Sequence, residues 1–309
     1  MKTVFIDGRE GTTGLRIESR IAARPDLREI VLPDELRKDS AARKDAIAAA
    51  DIVFLCLPDA AAREAAELAE GSGATLIDAS TAHRTAAGWE YGFPELSAER
   101  AERIASSKRI AVPGCHASGF VALVSPLVAA GILPASARLG CFSLTGYSGG
   151  GKKMIADYER AGAEYAAPRQ YALAQQHKHL PEMKAACGLE TAPVFCPVVG
   201  NFYSGMEVTV PLFVSDLAGG AGAADIRKIY SELYDGDIVF YRENADEAGF
   251  LSAGAYAGKD TMEISVHGSE ERILLTARFD NLGKGASGAA VECMNLVLGD
   301  EPGKGLVLN

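Results

Sequence analysis

The sequence predicts an α/β protein in which a doubly wound parallel sheet is joined to an α+β domain with a mixed, largely antiparallel sheet. Its 309 residues exceed the roughly 250 to 300 at which a single core stops growing, so two domains are expected. Over about the first hundred residues, short β-rich runs alternate with alanine-rich helical stretches, as in a parallel sheet covered by helices on both faces. Later strands are longer and more widely spaced.

The elements are predicted in this order. Strands of the first domain are expected at residues 2–6, 29–32, 51–57, 74–78 and 109–112, with helices between most of them. An apolar helix is expected over 117–131 and a long strand over 137–147, followed by strands at 193–199, 206–214, 237–241, 261–267 and 271–279. We expect residues 1–115, completed by a C-terminal helix within 285–309, to form the first domain, and residues 116–284 the second.

Composition and charge favour small-molecule chemistry. The net charge is -10, and nucleic-acid binding draws most of its affinity from clustered Lys and Arg, so no nucleic-acid partner is expected. No run approaches about 18 uncharged apolar residues, and no signal-like segment opens the chain. We therefore expect a cytoplasmic protein without a membrane partner. The six cysteines form no C-x-x-C pair, so neither a disulfide framework nor a metal site is predicted.

A glycine-rich turn follows the first predicted strand and opens a helix. It reads G-x-x-G-x-x-G, which differs from the commoner G-x-G-x-x-G. Glycines permit close backbone approach to a pyrophosphate, and a helix N-terminus offers unpaired N–H groups. The predicted dinucleotide contacts are Gly8, Gly11, Thr12, Thr13 and Gly14, and a tight turn without a ligand is the alternative. Further on, Arg37 and Lys38 could pair with a 2′-phosphate, but neighbouring acidic residues leave NAD and NADP both open.

Cys115 is the predicted nucleophile. The segment Val112-Pro113-Gly114-Cys115 places its thiol between a predicted strand and an apolar helix, near the edge where open α/β sheets bind ligands. A helix N-terminus stabilises a thiolate. A buried structural thiol is the alternative.

A histidine-rich segment supplies a candidate acid-base partner. Residues 176–182 read Gln-His-Lys-His-Leu-Pro-Glu and hold two of the five histidines. An imidazole, with an ordinary pKa of about 6.5, can take the thiol proton or protonate a leaving group. Two metal ligands, or two surface histidines ahead of a helix, are the alternatives. No third ligand cluster accompanies the pair.

Four segments together resemble the N-acetyl-gamma-glutamyl-phosphate reductases of arginine biosynthesis, in the semialdehyde dehydrogenase superfamily. They are residues 8–14, 112–115, 177–182 and the run Asn-Leu-Gly-Lys-Gly-Ala-Ser-Gly at 281–288. The resemblance spans nearly the whole chain and is to the shorter subtype, which carries a Tyr-Gly-Phe-Pro-Glu-Leu segment such as residues 91–96. Two departures are His116, which follows the cysteine, and the loop Ser-Gly-Gly-Gly-Lys-Lys at 148–153.

This resemblance implies NADP(H) as cofactor, a Rossmann-type first domain, a small acyl phosphate as substrate, and a homodimer or homotetramer. Cys115 would attack the acyl phosphate to form a thioester, which hydride reduces to the semialdehyde. His177 would be the acid-base residue and Glu182 its orienting carboxylate. The other implied contacts are His179, Ser148, Arg84 and Lys152 for the substrate, and Asn281, Lys284 and Gly285 for the cofactor.

Three competing functions are considered. Residues 146–153 match the phosphate-binding loop G-x-x-x-x-G-K-[ST] until the last position, where Lys153 replaces the Mg-binding hydroxyl and argues against a nucleoside triphosphatase. A non-catalytic dinucleotide-binding sensor has no need of an acid-base pair. An aspartate-semialdehyde dehydrogenase would use the same cysteine chemistry on a free amino acid, and only the resemblance separates it.

Overall fold

The computed structural model describes residues 1–160 and 162–308, and the chain divides into two compact units. The first unit comprises Met1–Pro94, Ala98–Gly114 and Ala286–Leu306. The second comprises Glu95–Ser97, Cys115–Gly285 and the chain from Val307 onward. Two residues at the predicted limits, Cys115 and Gly285, therefore group with the second unit.

The strands of the first unit form one sheet. They are β1 (Lys2–Asp7), β2 (Leu27–Ile30), β3 (Ile52–Leu55), β4 (Thr75–Asp78), β5 (Glu90–Tyr91) and β6 (Arg109–Ala111). Their order is β2-β1-β3-β4-β6-β5, and every pairing is parallel. The predicted parallel sheet is confirmed, and β5 is an edge strand that the sequence did not indicate.

The strands of the second unit also form one sheet. They are β7 (Gly140–Gly146), β8 (Arg169–Gln170), β9 (Val194–Gly200), β10 (Met206–Phe213), β11 (Val239–Tyr241), β12 (Met262–Gly268) and β13 (Arg272–Phe279). The order is β11-β12-β13-β10-β7-β9-β8. Only the β11/β12 and β7/β9 pairings are parallel, which confirms a mixed, largely antiparallel sheet.

The helices cover these sheets. In the described residues they are α1 (Thr12–Ala22), α2 (Ser40–Ala49), α3 (Asp59–Leu68), α4 (Ala98–Ser106), α5 (Cys115–Ala129), α6 (Gly151–Arg160), α7 (Leu180–Cys187), α8 (Ala223–Leu233) and α9 (Gly288–Leu298). None of them is both long and apolar enough to cross a membrane.

Both faces of the first sheet are packed with apolar side chains. On one face Val4 and Ile6 join a core with residues of α1, α4 and α9. On the other, Phe5 packs with Ile47 of α2 and Ala65 of α3. Successive side chains of a strand point to opposite faces, so a strand buried on both sides has a continuous apolar sequence. The core is therefore that of a doubly wound sheet.

The C-terminal helix lies within the predicted span 285–309. It is preceded by a π-helical turn, Gly283–Ser287, and ends at Leu298. Gly299 stops it by adopting a left-handed conformation with φ 71°, from which its N–H caps the helix. Turns and irregular backbone follow to residue 308, and position 309 of the prediction lies outside the described residues.

Candidate active site

Cys115 is the first residue of α5. The next nine residues of this helix are buried, whereas Cys115 itself is half-buried. A glycine adjoins it: a Cβ atom on Gly285 would lie 3.0 Å from the Cβ of Cys115. Gly285, predicted as a cofactor contact, thus permits a close approach to Cys115, and a larger residue there would press on the Cβ of Cys115.

The segment from Tyr171 to His179, here called the histidine loop, is fixed to strand β9. The Tyr171 N–H donates to the carbonyl of Pro197 at 3.1 Å. The side-chain amide of Gln175 donates to the Phe195 carbonyl at 2.7 Å and accepts from the Phe195 N–H at 2.8 Å. Ala172 and Gln175 have φ of 53° and 54°, a conformation that costs free energy in non-glycine residues and is concentrated at functional sites. The loop's shape is therefore determined by β9.

His177 has one nitrogen fixed by the backbone. The N–H of His179 donates to Nδ1 of His177 at 3.2 Å, so neutral His177 carries its proton on Nε2. The two rings lie 4.7 Å apart, and His179 is buried. Glu182 is buried in the first turn of α7. Its orienting role toward His177 stays a prediction, because the contact seen at Nδ1 comes from His179.

His116 links the nucleophile's helix to the histidine loop. It is buried, with Nδ1 2.6 Å from the hydroxyl of Ser143 and Nε2 2.6 Å from the hydroxyl of Tyr171. Its ring lies 5.8 Å from that of His177. Burial, and secondly the neighbouring His177, lower the pKa of His116 to about 3. His116 is therefore a neutral hydrogen-bonding group near neutral pH.

The lowered pKa of His116 predicts a pH-dependent stability. Between about pH 6.5 and pH 3 the unfolded chain binds a proton at this histidine and the folded chain does not, so the free energy of unfolding falls as pH falls. The slope from one such group is at most about 1.4 kcal/mol per pH unit. His116→Gln is expected to flatten this dependence, measured by urea unfolding across the window. Equal slopes in both proteins would contradict the prediction.

Two predicted ligand contacts meet through a hydrogen bond. Asn281 Nδ2 donates to the Ser148 hydroxyl at 2.9 Å, and its Oδ1 accepts from the Gly205 N–H at 3.0 Å. Both side chains are buried. Asn281 thus fixes the position of Ser148, and their roles toward ligands remain predictions.

The predicted cationic contacts lie in different settings. Lys284 is buried, with Nζ 2.6 Å from Oε1 of Glu95, so the structure shows it as an ion-pair partner of the 91–96 segment. Lys152 is exposed in the first turn of α6. In the first unit, Arg84 donates to the carbonyls of Val112 at 2.9 Å and Ala79 at 3.2 Å. Arg84 therefore fixes the backbone at the end of β6, shortly before Cys115 in the chain.

The glycine-rich run at 146–153 uses its own N–H groups within the chain. The amides of Gly146, Tyr147 and Ser148 donate to the carbonyls of Gly205, Phe202 and Tyr203. A phosphate-binding loop needs such amides directed at the ligand. This contact pattern argues further against a triphosphatase.

The predicted dinucleotide turn belongs to the first unit and has close backbone packing. Gly8 has φ +87°, and a Cβ there would lie 2.4 Å from the carbonyl oxygen of Cys56. At Gly14 a Cβ would lie 2.6 Å from the Arg9 carbonyl oxygen. At Gly11, which precedes α1, the nearest atom would be 3.7 Å away. The turn thus needs glycine at Gly8 and Gly14, whereas a Cβ at Gly11 would make only ordinary van der Waals contacts. The helix N-terminus that Gly11 precedes is a position that suits a phosphate.

A cavity adjoins this turn. It measures about 330 Å³, and the lining includes Gly8, Ile30, Leu32, Arg37, Lys38 and Leu57. Arg37 is also ion-paired with Glu10 and, at 3.5 Å, with Asp34. The lining also includes the carboxylates Asp7, Glu10 and Asp34. Apolar side chains together with the two cations fit an adenosine and its phosphate, so the residues present suit a dinucleotide.

Two alanine substitutions are expected to separate folding from cofactor binding in this turn. Gly8→Ala should cost more than about 2 kcal/mol of stability, because it adds left-handed strain to the clash with Cys56. Gly11→Ala should leave stability nearly unchanged, because its methyl group makes only ordinary contacts, but weaken NADPH binding about tenfold, since that methyl group would lie where the phosphate approaches the helix N-terminus. Thermal unfolding and fluorescence titration with NADPH measure both effects. Unchanged affinity in Gly11→Ala would contradict this placement.

Comparison with known proteins identifies the family. Residues 9–104 match the model of the semialdehyde dehydrogenase NAD binding domain, and residues 115–281 match that of the semialdehyde dehydrogenase dimerisation domain. An N-acetyl-gamma-glutamyl-phosphate reductase of Brucella suis is 46% identical over 306 residues, covering 96% of this chain and 98% of that protein. The chain belongs to the N-acetyl-gamma-glutamyl-phosphate reductase family. A second relative of that name, from Brucella ovis, is 45% identical, covering 96% of this chain and 98% of that protein.

Solved structures share the fold of this reductase family member at low identity. An aspartate semialdehyde dehydrogenase II of Vibrio cholerae has a TM-score of 0.73 at 17% identity, covering 97% of this chain and 99% of that chain. The aspartate semialdehyde dehydrogenase of Candida albicans, solved with NADP, has a TM-score of 0.68 at 13% identity, covering 96% of this chain and 98% of that chain. The predicted family and fold class are confirmed.

Sequence reasoning missed part of this site. Ser143 and Tyr171 were not among the predicted site residues, and His116 was noted only as a departure from the family pattern. Ser143 and Tyr171 lie 27 and 55 positions from His116 along the chain, so no local motif signals the contacts. The available signal in the sequence was Ser143, a polar residue at a core-facing position of β7.

Proposed function

We propose that this chain reduces N-acetyl-gamma-glutamyl phosphate to N-acetylglutamate 5-semialdehyde and phosphate, with NADPH, through a thioester on Cys115. The observation that carries the proposal is the half-buried thiol at the start of α5, whose next residue, His116, joins it to the loop bearing His177. Family membership supplies the substrate and the pathway, arginine biosynthesis. The enzyme works as a soluble protein of the cytoplasm.

The chemistry divides one difficult step into two. The thiolate of Cys115 attacks the acyl carbon, the carbon–oxygen bond to phosphate breaks, and a thioester remains. The bound reduced nicotinamide supplies the hydride that reduces this acyl group. As the resulting hemithioacetal alkoxide collapses, the carbonyl reforms and Cys115 leaves as a thiolate, to which the Nε2–H of His177 donates a hydrogen bond. The amides opening α5 are suited to the developing oxyanion.

The first unit holds the cofactor in this proposal. The N–H groups opening α1 receive the pyrophosphate, and Gly11 keeps that approach clear, while Gly8 and Gly14 permit the close backbone packing of the turn. Arg37 and Lys38 attract the 2′-phosphate that distinguishes NADP from NAD. Support comes from Gly11, where a side chain is absent at the start of α1, and from the two cations in the lining of the neighbouring cavity.

A coupled assay tests the substrate and cofactor together. Purified protein is mixed with N-acetylglutamate semialdehyde, phosphate and NADP, and formation of NADPH is followed by absorbance. We expect phosphate-dependent turnover, and much less with aspartate semialdehyde or with NAD. Turnover of aspartate semialdehyde alone would show that the substrate is wrong while the cysteine chemistry stands.

The second unit also presents a surface suited to self-association, and we propose a homodimer built on it. The sheet face formed by alternate residues of β7, β9, β10 and β13 carries exposed apolar side chains; they are Phe142, Val194, Phe213 and Leu274. Such patches on a sheet mark interaction sites. A tetramer would need a further surface.

A charged residue on this face is expected to break the oligomer. Phe142 is 54% exposed, and Phe142→Asp would place a carboxylate in an apolar interface at a cost of several kcal/mol, about a hundredfold or more in association. The matched control is Phe250→Asp, at a phenylalanine 76% exposed in a loop. Light scattering coupled to size exclusion measures the mass. A monomeric wild type, or an unchanged mass in Phe142→Asp, would contradict this interface.

A further inference from the structure

The second unit contains a buried hydrogen-bonded chain that the mechanism above does not use. It runs from Ser143 on β7 through His116 on α5 to Tyr171 at the start of the histidine loop, with both links 2.6 Å long. Ser143 and His116 are 1% and 3% exposed. Buried polar networks of this kind persist when every member is satisfied and then fix their members precisely. The chain therefore holds the Tyr171 hydroxyl in one place.

The direction of the hydrogen bonds follows from the charge state of His116. A neutral imidazole has one donor and one acceptor nitrogen. If Ser143 donates to Nδ1, then Nε2–H donates to the oxygen of Tyr171, and the phenolic hydrogen is left to point away from His116. In the alternative direction, the phenolic O–H of Tyr171 donates to Nε2 of His116. A negative charge close to the phenol favours the first direction.

Cys115 is the source of such a charge. It immediately precedes His116 on α5, and Tyr171 lies at the same end of the helix. Burial, and secondly the charge of Cys115, raise the pKa of Tyr171, so the phenol stays protonated and remains a donor when the thiolate is present. A hydrogen bond to an ionised group is stronger than one between neutral groups.

We propose that Tyr171, aimed by His116 and Ser143, is a positioning residue that donates a hydrogen bond to the Cys115 thiolate and so keeps the nucleophile ionised. This inference rests on the proposed role of Cys115. Other titratable groups on the elements packed around the first turn of α5 are His177 and His179 of the histidine loop, Glu182 of α7, and the Lys284–Glu95 pair at the π-helical turn.

The test measures the ionisation of one thiol. Protein is alkylated with iodoacetamide at a series of pH values, and the rate at Cys115 is read from the mass of its peptide, because Cys56 and Cys196 are also half-buried. In Tyr171→Phe we expect the pKa of the thiol to rise by one unit or more, and alkylation below that pKa to slow about tenfold. Ser143→Ala should shift the profile in the same direction by less.

The matched control is Tyr230→Phe. The hydroxyl of Tyr230 is also buried and donates to a carbonyl of α5, that of Leu123, so its loss perturbs the helix without touching the chain to Cys115. Its alkylation profile should coincide with that of the wild type. If Tyr171→Phe does not fold, the alkylation profile of Ser143→Ala decides: a raised pKa of the Cys115 thiol supports the inference, and an unchanged profile overturns it.

The outcomes separate the two proposals. Coincident profiles for the wild type and Tyr171→Phe, or an equal shift in Tyr230→Phe, would overturn the role of Tyr171 while leaving Cys115 as nucleophile. Undiminished turnover in Cys115→Ser would instead overturn the proposed function. A shift confined to Tyr171→Phe and Ser143→Ala supports the inference.

Discussion

Cys115→Ser is expected to lower kcat for phosphate-dependent NADPH formation by at least about four orders of magnitude, as for the loss of other covalent nucleophiles. A serine hydroxyl at the same place is not ionised near neutral pH and forms no thioester. The substitution removes no hydrogen bond of the cofactor turn, so NADPH affinity should stay within about twofold of the wild type. Steady-state kinetics and fluorescence titration measure the two quantities.

The matched control is Cys196→Ser, which changes another half-buried thiol of the same unit, on β9. Its kcat should remain close to that of the wild type. Equal losses of kcat in both variants would show that the effect comes from a general disturbance of the second unit and not from the loss of a nucleophile.

His177→Asn is expected to lower kcat by about a hundredfold to ten-thousandfold, the usual contribution of a general acid-base group. The amide oxygen of asparagine can still accept from the His179 N–H, the bond now made by Nδ1, so the histidine loop should keep its shape. What is lost is the exchangeable proton at Nε2. Kinetics in both reaction directions across pH measure the change. The limb of the pH–rate profile that is due to the imidazole should disappear.

Lys178→Ala supplies the control for this substitution. Lys178 is exposed between the two histidines, so its loss tests whether any change in the loop lowers activity. We expect nearly full activity. A pH profile of His177→Asn that retains the wild-type shape would assign the acid-base role to another group, of which His179 is the nearest.

The inner strands of the first sheet are predictable from signals that a sequence carries locally, whereas their order in the sheet depends on the tertiary fold. The inner strands of the first unit are buried on both faces and have continuous apolar sequences, as in Ile52–Leu55. The strands β5 and β8 have two residues each, too few for any periodicity to appear. The end of α9 at Leu298 depends on Gly299, a common helix stop.

The site was predictable where chemistry is concentrated in short motifs. The glycine turn, Cys115 and the histidine pair stand out by residue type and spacing alone. The ion pair of Lys284 with Glu95 joins positions 189 apart, and the contacts of His116 with Ser143 and Tyr171 are also distant in sequence. Only the tertiary fold brings these partners together, so a single sequence gives no reason to pair them.

The most direct test of covalent catalysis is the mass of the enzyme after exposure to substrate without reduced cofactor. N-acetyl-gamma-glutamyl phosphate is added to the wild type and to Cys115→Ser, the reaction is quenched in acid, and peptides are analysed by mass spectrometry. We predict release of phosphate and an N-acetylglutamyl adduct on the Cys115 peptide of the wild type alone. An adduct on another residue, or phosphate release that requires NADPH and leaves no adduct, would contradict the thioester mechanism.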